Sequence, residues 1–68
     1  MNALNITVGD LVKELMQLTE SDRENLLAMS EWSLSRIQTV AKQAKTKENK
    51  RFMELTIAVH KLRKALVI

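Results

Sequence analysis

Residues 45–66 read KTKENKRFMELTIAVHKLRKAL, and this stretch decides how the chain folds. Its first seven residues, 45–51, contain no apolar side chain. After them, apolar side chains recur at alternating spacings of three and four residues: Phe52, Leu55, Val59, Leu62 and Leu66. This spacing puts side chains on one face of an α-helix and predicts a helix over residues 48–66. The resulting seam is two heptads long, and we predict it to be an oligomer interface.

The polar gap has two interpretations. It can form a turn, with Thr46 or Asn49 capping the last helix, so that the chain folds back as a hairpin. Alternatively, one helix runs unbroken through the gap, because the apolar stripes on either side of it are nearly in phase. We favour the turn, because a long single helix with seven polar residues in its middle would have no partner to pack against.

The rest of the chain also reads as helix, since it has no proline and a single glycine, Gly9. Thr7 is a suitable N-cap for a helix over residues 8–18, and Thr19 or Ser21 for a second helix over residues 20–44. Residues 3–8 alternate between apolar and polar side chains, which indicates either a short extended arm or a lead-in to the first helix. The predicted fold is a single all-α domain over residues 1–68: a three-helix bundle, or a helical hairpin with a short N-terminal helix.

Size and composition predict a second subunit. A 68-residue chain buries a small core, and domains of this size usually add disulfides, a metal or another subunit. The sequence has no cysteine and one histidine, so disulfides are excluded and a zinc site is not expected. We therefore expect a homodimer without cofactors. No segment is apolar for long enough to predict a membrane span or a signal peptide, which favours a cytoplasmic location.

The charges are divided along the chain. Residues 1–35 carry two basic and six acidic side chains, whereas residues 36–68 carry nine basic and two acidic ones. The basic residues are densest at the junction, where five could contact phosphates: Lys42, Lys45, Lys47, Lys50 and Arg51. Such a cluster is typical of nucleic-acid-binding proteins, and it is also typical of a solvated loop that keeps a small protein soluble.

No known DNA-binding motif is clear in the sequence. A helix-turn-helix with its turn at residues 18–21 would be followed by an acidic helix, which has the wrong charge for lying against phosphates. A ribbon-helix-helix would use residues 3–7 as its strand, but that segment has no Arg or Lys. A two-stranded basic helix would normally carry more arginine ahead of its zipper. Nucleic-acid binding through residues 42–51 therefore stands as the alternative function.

Trp32 is the residue most suited to a binding role. Tryptophan is enriched at the centres of protein interfaces, and Arg36 follows one helical turn later. The indole could instead be covered by the N-terminal arm, or lie under Arg36 in a cation–π contact. At the other end, Val67 and Ile68 extend an apolar terminus beyond the heptad seam, on a second face that also carries Met53, Ile57, His60 and Lys64. A neighbouring subunit could cover that face.

Catalysis is not expected. His60 has no carboxylate within one helical turn to orient it, so we predict a surface imidazole. The serines lack a neighbouring base, and the chain has no glycine-rich phosphate loop.

The sequence thus favours a small regulatory or adaptor protein that binds a protein partner through helical surfaces. Trp32, Arg36, Val67 and Ile68 are its predicted contact residues.

Overall fold

The computed structural model describes residues 7–66. Within them the protein is all-helical, with four helices: α1 (Val8–Gln17), α2 (Glu20–Met29), α3 (Leu34–Lys42) and α4 (Lys47–Leu66). The all-α fold is therefore confirmed, with one helix more than predicted. Residues 3–6 of the alternating arm lie outside the described residues, and so do Val67 and Ile68. Among the described helices, none combines the length and the apolar composition of a transmembrane helix.

The prediction of a single helix over residues 20–44 is wrong, because a turn at residues 30–33 divides it into two helices. Ser33 has an extended backbone (φ −62°, ψ 148°), and its Oγ accepts a hydrogen bond from the Arg36 amide at 3.3 Å. Serine competes with helix interiors by bonding to nearby amides, so it starts a new helix here. The sequence pattern predicted one continuous helix because Ser30 and Ser33 lie on its apolar stripe, where small residues allow close helix packing.

The turn at the polar gap is confirmed. Helix α3 ends at Lys42, and α4 begins at Lys47 after a loop of four residues. The Thr46 Oγ1 accepts a hydrogen bond from the Asn49 amide at 3.0 Å, as an N-cap does. Thr7 and Thr19 cap α1 and α2 in the same way. Four short hydroxyl caps thus define where the helices begin.

Helix α4 is the centre of the fold and contacts the other three helices, α3 most extensively. One face of α4 packs into an apolar cluster with α1 and α2: Leu11, Leu26, Leu55 and Val59. A second face carries Met53, Thr56 and His60, all of them buried. The sequence predicted that α4 is covered from two sides and offered a neighbouring subunit as the second cover. Within residues 7–66, the chain itself already buries both faces.

Candidate interaction surfaces

An open groove of about 960 Å³ lies beside Trp32, between α2 and the start of α4. We call this cleft the Trp32 groove. Its apolar lining consists of Leu18, Ala28, Met29, Trp32, Phe52 and Leu55. Charged side chains also line it, with both signs present: Glu14, Asp22, Lys47, Glu48 and Arg51. An apolar floor with a charged rim is the usual construction of a protein-binding cleft.

Trp32 lies in the turn between α2 and α3, and its side chain is half-buried. Its amide donates a hydrogen bond to the Met29 carbonyl at 3.0 Å, which fixes the backbone of the turn. The Arg36 guanidinium carbon lies 3.9 Å from the centroid of the indole ring. The cation–π contact considered from the sequence is therefore confirmed, and it holds the indole at the edge of the groove.

Arg51 is neutralised by two carboxylates. Its Nε donates to Glu14 Oε1 at 2.7 Å, its Nη1 donates to Glu54 Oε2 at 3.0 Å, and its Nη2 also pairs with Glu14. The hydrogen bonds to Glu14 and then to Glu54 raise the pKa of Arg51 above its ordinary value. We predicted Arg51 as a phosphate contact, but the structure commits its guanidinium to joining α4 to α1.

The four lysines of the predicted phosphate set are all exposed: Lys42, Lys45, Lys47 and Lys50. They flank the loop between α3 and α4, and we call them the loop lysines. Within residues 7–66 none of them forms an ion pair. Their charges are therefore free to act together on a polyanion, without Arg51.

The predicted oligomer seam is largely used inside one chain. Leu55 and Val59 are 3% and 6% exposed, in the cluster with Leu11 and Leu26, and Phe52 and Leu62 pack against that cluster. Leu66 is 72% exposed and Phe52 lines the open groove, so these two seam residues keep surface that another chain could contact. The spacing identified a buried face correctly, but residues of α1 and α2 cover it.

His60 is not at the surface, so that prediction is wrong. It is 5% exposed, and its Nδ1 lies 2.8 Å from the carbonyl oxygen of Ser30, which is 2% exposed. Because a carbonyl oxygen can only accept, the ring donates its Nδ1–H there. Within the described residues Nε2 is buried and makes no hydrogen bond. The sequence places His60 on the second face of α4 with Met53 and Ile57. The prediction of a surface imidazole rested on the lack of a carboxylate within one helical turn, whereas the partner of the ring is a backbone carbonyl 30 residues earlier.

Three or more potential metal ligands do not come together anywhere in residues 7–66. Two surfaces of the described structure contain residues that the sequence predicted for binding, the Trp32 groove and the loop lysines. Comparison with known proteins finds no matching family model, no matching curated protein and no matching solved structure.

Proposed function

We propose that this protein is a small non-enzymatic regulatory or adaptor protein that binds a protein partner in the Trp32 groove. The observation that carries the proposal is that the chain's single tryptophan borders an open groove with an apolar floor. A half-exposed tryptophan in such a position is the typical anchor of a binding hot spot. A cleft between helices fits an amphipathic helix from the partner, with its apolar side on Met29 and Phe52.

The experiment uses the full chain as bait, identifies a stoichiometric binder, and then titrates the purified binder against the protein. Because Trp32 is the only indole, a shift in its emission reports occupation of the groove when the binder is kept free of tryptophan. Trp32→Ala has no indole, so its affinity is measured by titration calorimetry. It should bind about 30-fold more weakly, which corresponds to a hot spot of about 2 kcal/mol.

The matched control is Leu27→Ala. Leu27 is 43% exposed and does not line the groove, so its truncation should leave the affinity unchanged. Circular dichroism checks that both variants keep their helices. If Trp32→Ala binds the partner as tightly as the unaltered chain does, the groove is not the binding site and the proposal fails.

The second candidate function is nucleic-acid binding through the loop lysines. It is supported by the exposure of all four side chains and by the lack of ion pairs to them within residues 7–66. Polyanion binding of this kind falls steeply between about 50 and 200 mM salt, because bound counterions are released.

A salt titration with a duplex of arbitrary sequence tests this candidate. Replacing the loop lysines by glutamine should lower the salt slope by about one unit per lysine removed. Lys13→Gln with Lys61→Gln, two exposed lysines elsewhere, is the control and should change the slope little. Absence of a complex at about 50 mM salt would dismiss nucleic-acid binding.

A cytoplasmic homodimer is the remaining part of the proposal. Its support is apolar surface that the described chain leaves uncovered: Val8, Val12 and Met16 on successive turns of α1, and Leu66 on α4. Light scattering on the purified chain at micromolar concentration measures the oligomeric state directly. A monomer at that concentration would remove the dimer without affecting either binding candidate.

A further inference from the structure

Helices α2 and α3 form a helix, a short turn and a second helix. Helix α2 has ten residues, the turn spans residues 30–33, and α3 has nine. Leu26 on α2 and Ile37 on α3 are both 0% exposed, so each helix is anchored in the interior by one side chain. This order of elements and length of turn are those of a helix-turn-helix. The first helix of that motif crosses the DNA backbone, for which the acidic α2 has the wrong charge, so the comparison concerns α3 alone, whose counterpart enters the major groove.

The turn is held without a glycine. In residues 7–66 no residue has a positive φ, so this turn does not need the conformation for which glycine is favoured. Instead, the Trp32 amide bonds back to Met29, the Ser33 hydroxyl caps α3, and the Ser30 carbonyl accepts from His60. These bonds fix the position at which α3 starts relative to α2 and α4.

The outer face of α3 has a composition suited to reading base edges. Its exposed side chains beyond the cap are polar or basic: Ser35, Arg36, Gln38, Thr39 and Lys42. No acidic residue occurs from Trp32 to Lys47. Glutamine bonds adenine bidentately in the major groove, and serine and threonine bond several base edges. The Thr39 hydroxyl donates to the Ser35 carbonyl at 2.9 Å, so towards a base it acts as an acceptor. The nearest acid before α3 in the sequence, Glu31, is engaged by Arg63 at 3.3 Å.

Phosphate contacts are available on the side where α3 ends. Lys42 closes the helix, and the other loop lysines follow within eight residues. A nine-residue helix is about 13 Å long, which matches about four base-pair steps of a duplex. Lys42, in the last turn of α3, and Lys45, in the loop that follows, therefore place positive charge next to the end of this helix.

We propose that α3 is a recognition helix for double-stranded DNA, with Ser35, Gln38 and Thr39 on base edges in the major groove and the loop lysines on the flanking phosphates. This inference rests on the second candidate function and adds to it a preference for duplex DNA and for sequence. Arg36 is held over Trp32 and supports the edge of this surface. Lys47 also lines the Trp32 groove, whereas Ser35, Gln38 and Thr39 do not, so the base contacts can be tested without altering that groove.

The test is a selection from random duplexes with the full chain at about 50 mM salt, followed by anisotropy titrations of the enriched and scrambled sequences. We expect an enriched element of about four base pairs per chain, bound about tenfold or more tightly than its scrambled version. The variant Ser35→Ala/Gln38→Ala/Thr39→Ala should lose that preference and keep its affinity for the scrambled duplex. Alanine is the best helix former, so this variant should keep α3.

The control variant is Ser21→Ala/Glu24→Ala, two exposed positions on α2, and it should keep the preference. Binding to all duplexes alike would overturn the inference and leave the second candidate standing. Tighter binding to single-stranded DNA or to RNA of the same sequence would also overturn it. If no duplex is bound at about 50 mM salt, both this inference and the second candidate function are wrong. None of these outcomes tests whether a protein partner binds in the Trp32 groove.

Discussion

Helix α4 packs against two unlike parts of the molecule. Towards α1 and α2 its partners are apolar, and they meet in the cluster of Leu11, Leu26, Leu55 and Val59. Its second face carries Thr56 and His60 beside Met53, and His60 contacts the turn between α2 and α3. Apolar burial is strong but non-directional, whereas a hydrogen bond fixes a position. The first part thus stabilises the fold by apolar burial, whereas the second adds to its buried side chains a hydrogen bond that fixes the turn before α3.

The largest effect should follow from damage to the apolar part. Leu26→Ala removes a side chain that is 0% exposed, and large-to-small changes of this kind cost about 2–5 kcal/mol. A domain this small has a stability of only a few kcal/mol, so the variant should be largely unfolded.

Urea denaturation followed by circular dichroism measures this loss. The neighbouring variant Leu27→Ala is the control, because Leu27 is 43% exposed and its truncation opens little cavity. Equal losses for the two variants would contradict the assignment of the core.

The next effect concerns the polar part. His60→Leu removes the donor to the Ser30 carbonyl and leaves that acceptor buried, at a cost of about 1–3 kcal/mol in the free energy of unfolding. His60→Asn keeps an N–H donor near the position of Nδ1 and should retain more of the stability.

Trp32 fluorescence, which reports the geometry of the turn, should change in His60→Leu and change less in His60→Asn. The same loss and the same fluorescence in both variants would mean that the hydrogen bond does not position the turn.

A smaller effect tests the break between α2 and α3. Ser33→Ala removes the N-cap of α3, and cap losses typically cost about 1 kcal/mol. Ser35→Ala changes an exposed serine inside the same helix and should cost less. Thermal unfolding compares the two variants, and a greater loss for Ser35→Ala would show that Ser33 is not the cap.

The sequence could predict the parts of the fold that depend on spacing and hydroxyl caps. The seam from Phe52 to Leu62 marks a buried face because apolar spacing reports burial. It could not report which element covers that face, since α1, α2 and a second chain offer the same kind of surface. The break at Ser33 was missed because a serine within an apolar stripe is compatible with close helix packing as well as with a cap.

The candidate surfaces were predictable to different degrees. The exposure of the loop lysines is predictable because most of them lie in a stretch without apolar residues. Trp32 is predictable as a contact residue because tryptophan is rare and large. The neutralisation of Arg51 was not predictable, because Glu14 lies 37 residues away in sequence and only the packing of α1 on α4 brings them together. The burial of His60 likewise depends on Ser30, which lies 30 residues earlier.

The smallest effect concerns the ion pair between Arg51 and Glu14, which joins α4 to α1. The side chains of Arg51 and Glu14 are 43% and 28% exposed, so their coupling should be about 0.2–1 kcal/mol. A double-mutant cycle with Arg51→Gln and Glu14→Gln measures it, and about 1 M salt should reduce it. The control is the pair Arg63–Glu31, whose side chains are 49% and 66% exposed. Its coupling should be smaller because water screens exposed charges more strongly.

The same link distinguishes Arg51 from its basic neighbours. Because two carboxylates already match its charge, Arg51→Gln should weaken duplex binding less than Lys50→Gln does, although the two residues are adjacent. If the two variants weaken binding equally, the guanidinium leaves Glu14 to reach phosphate. In that event the ion pairs with Glu14 and Glu54 do not keep Arg51 from acting as part of the basic surface.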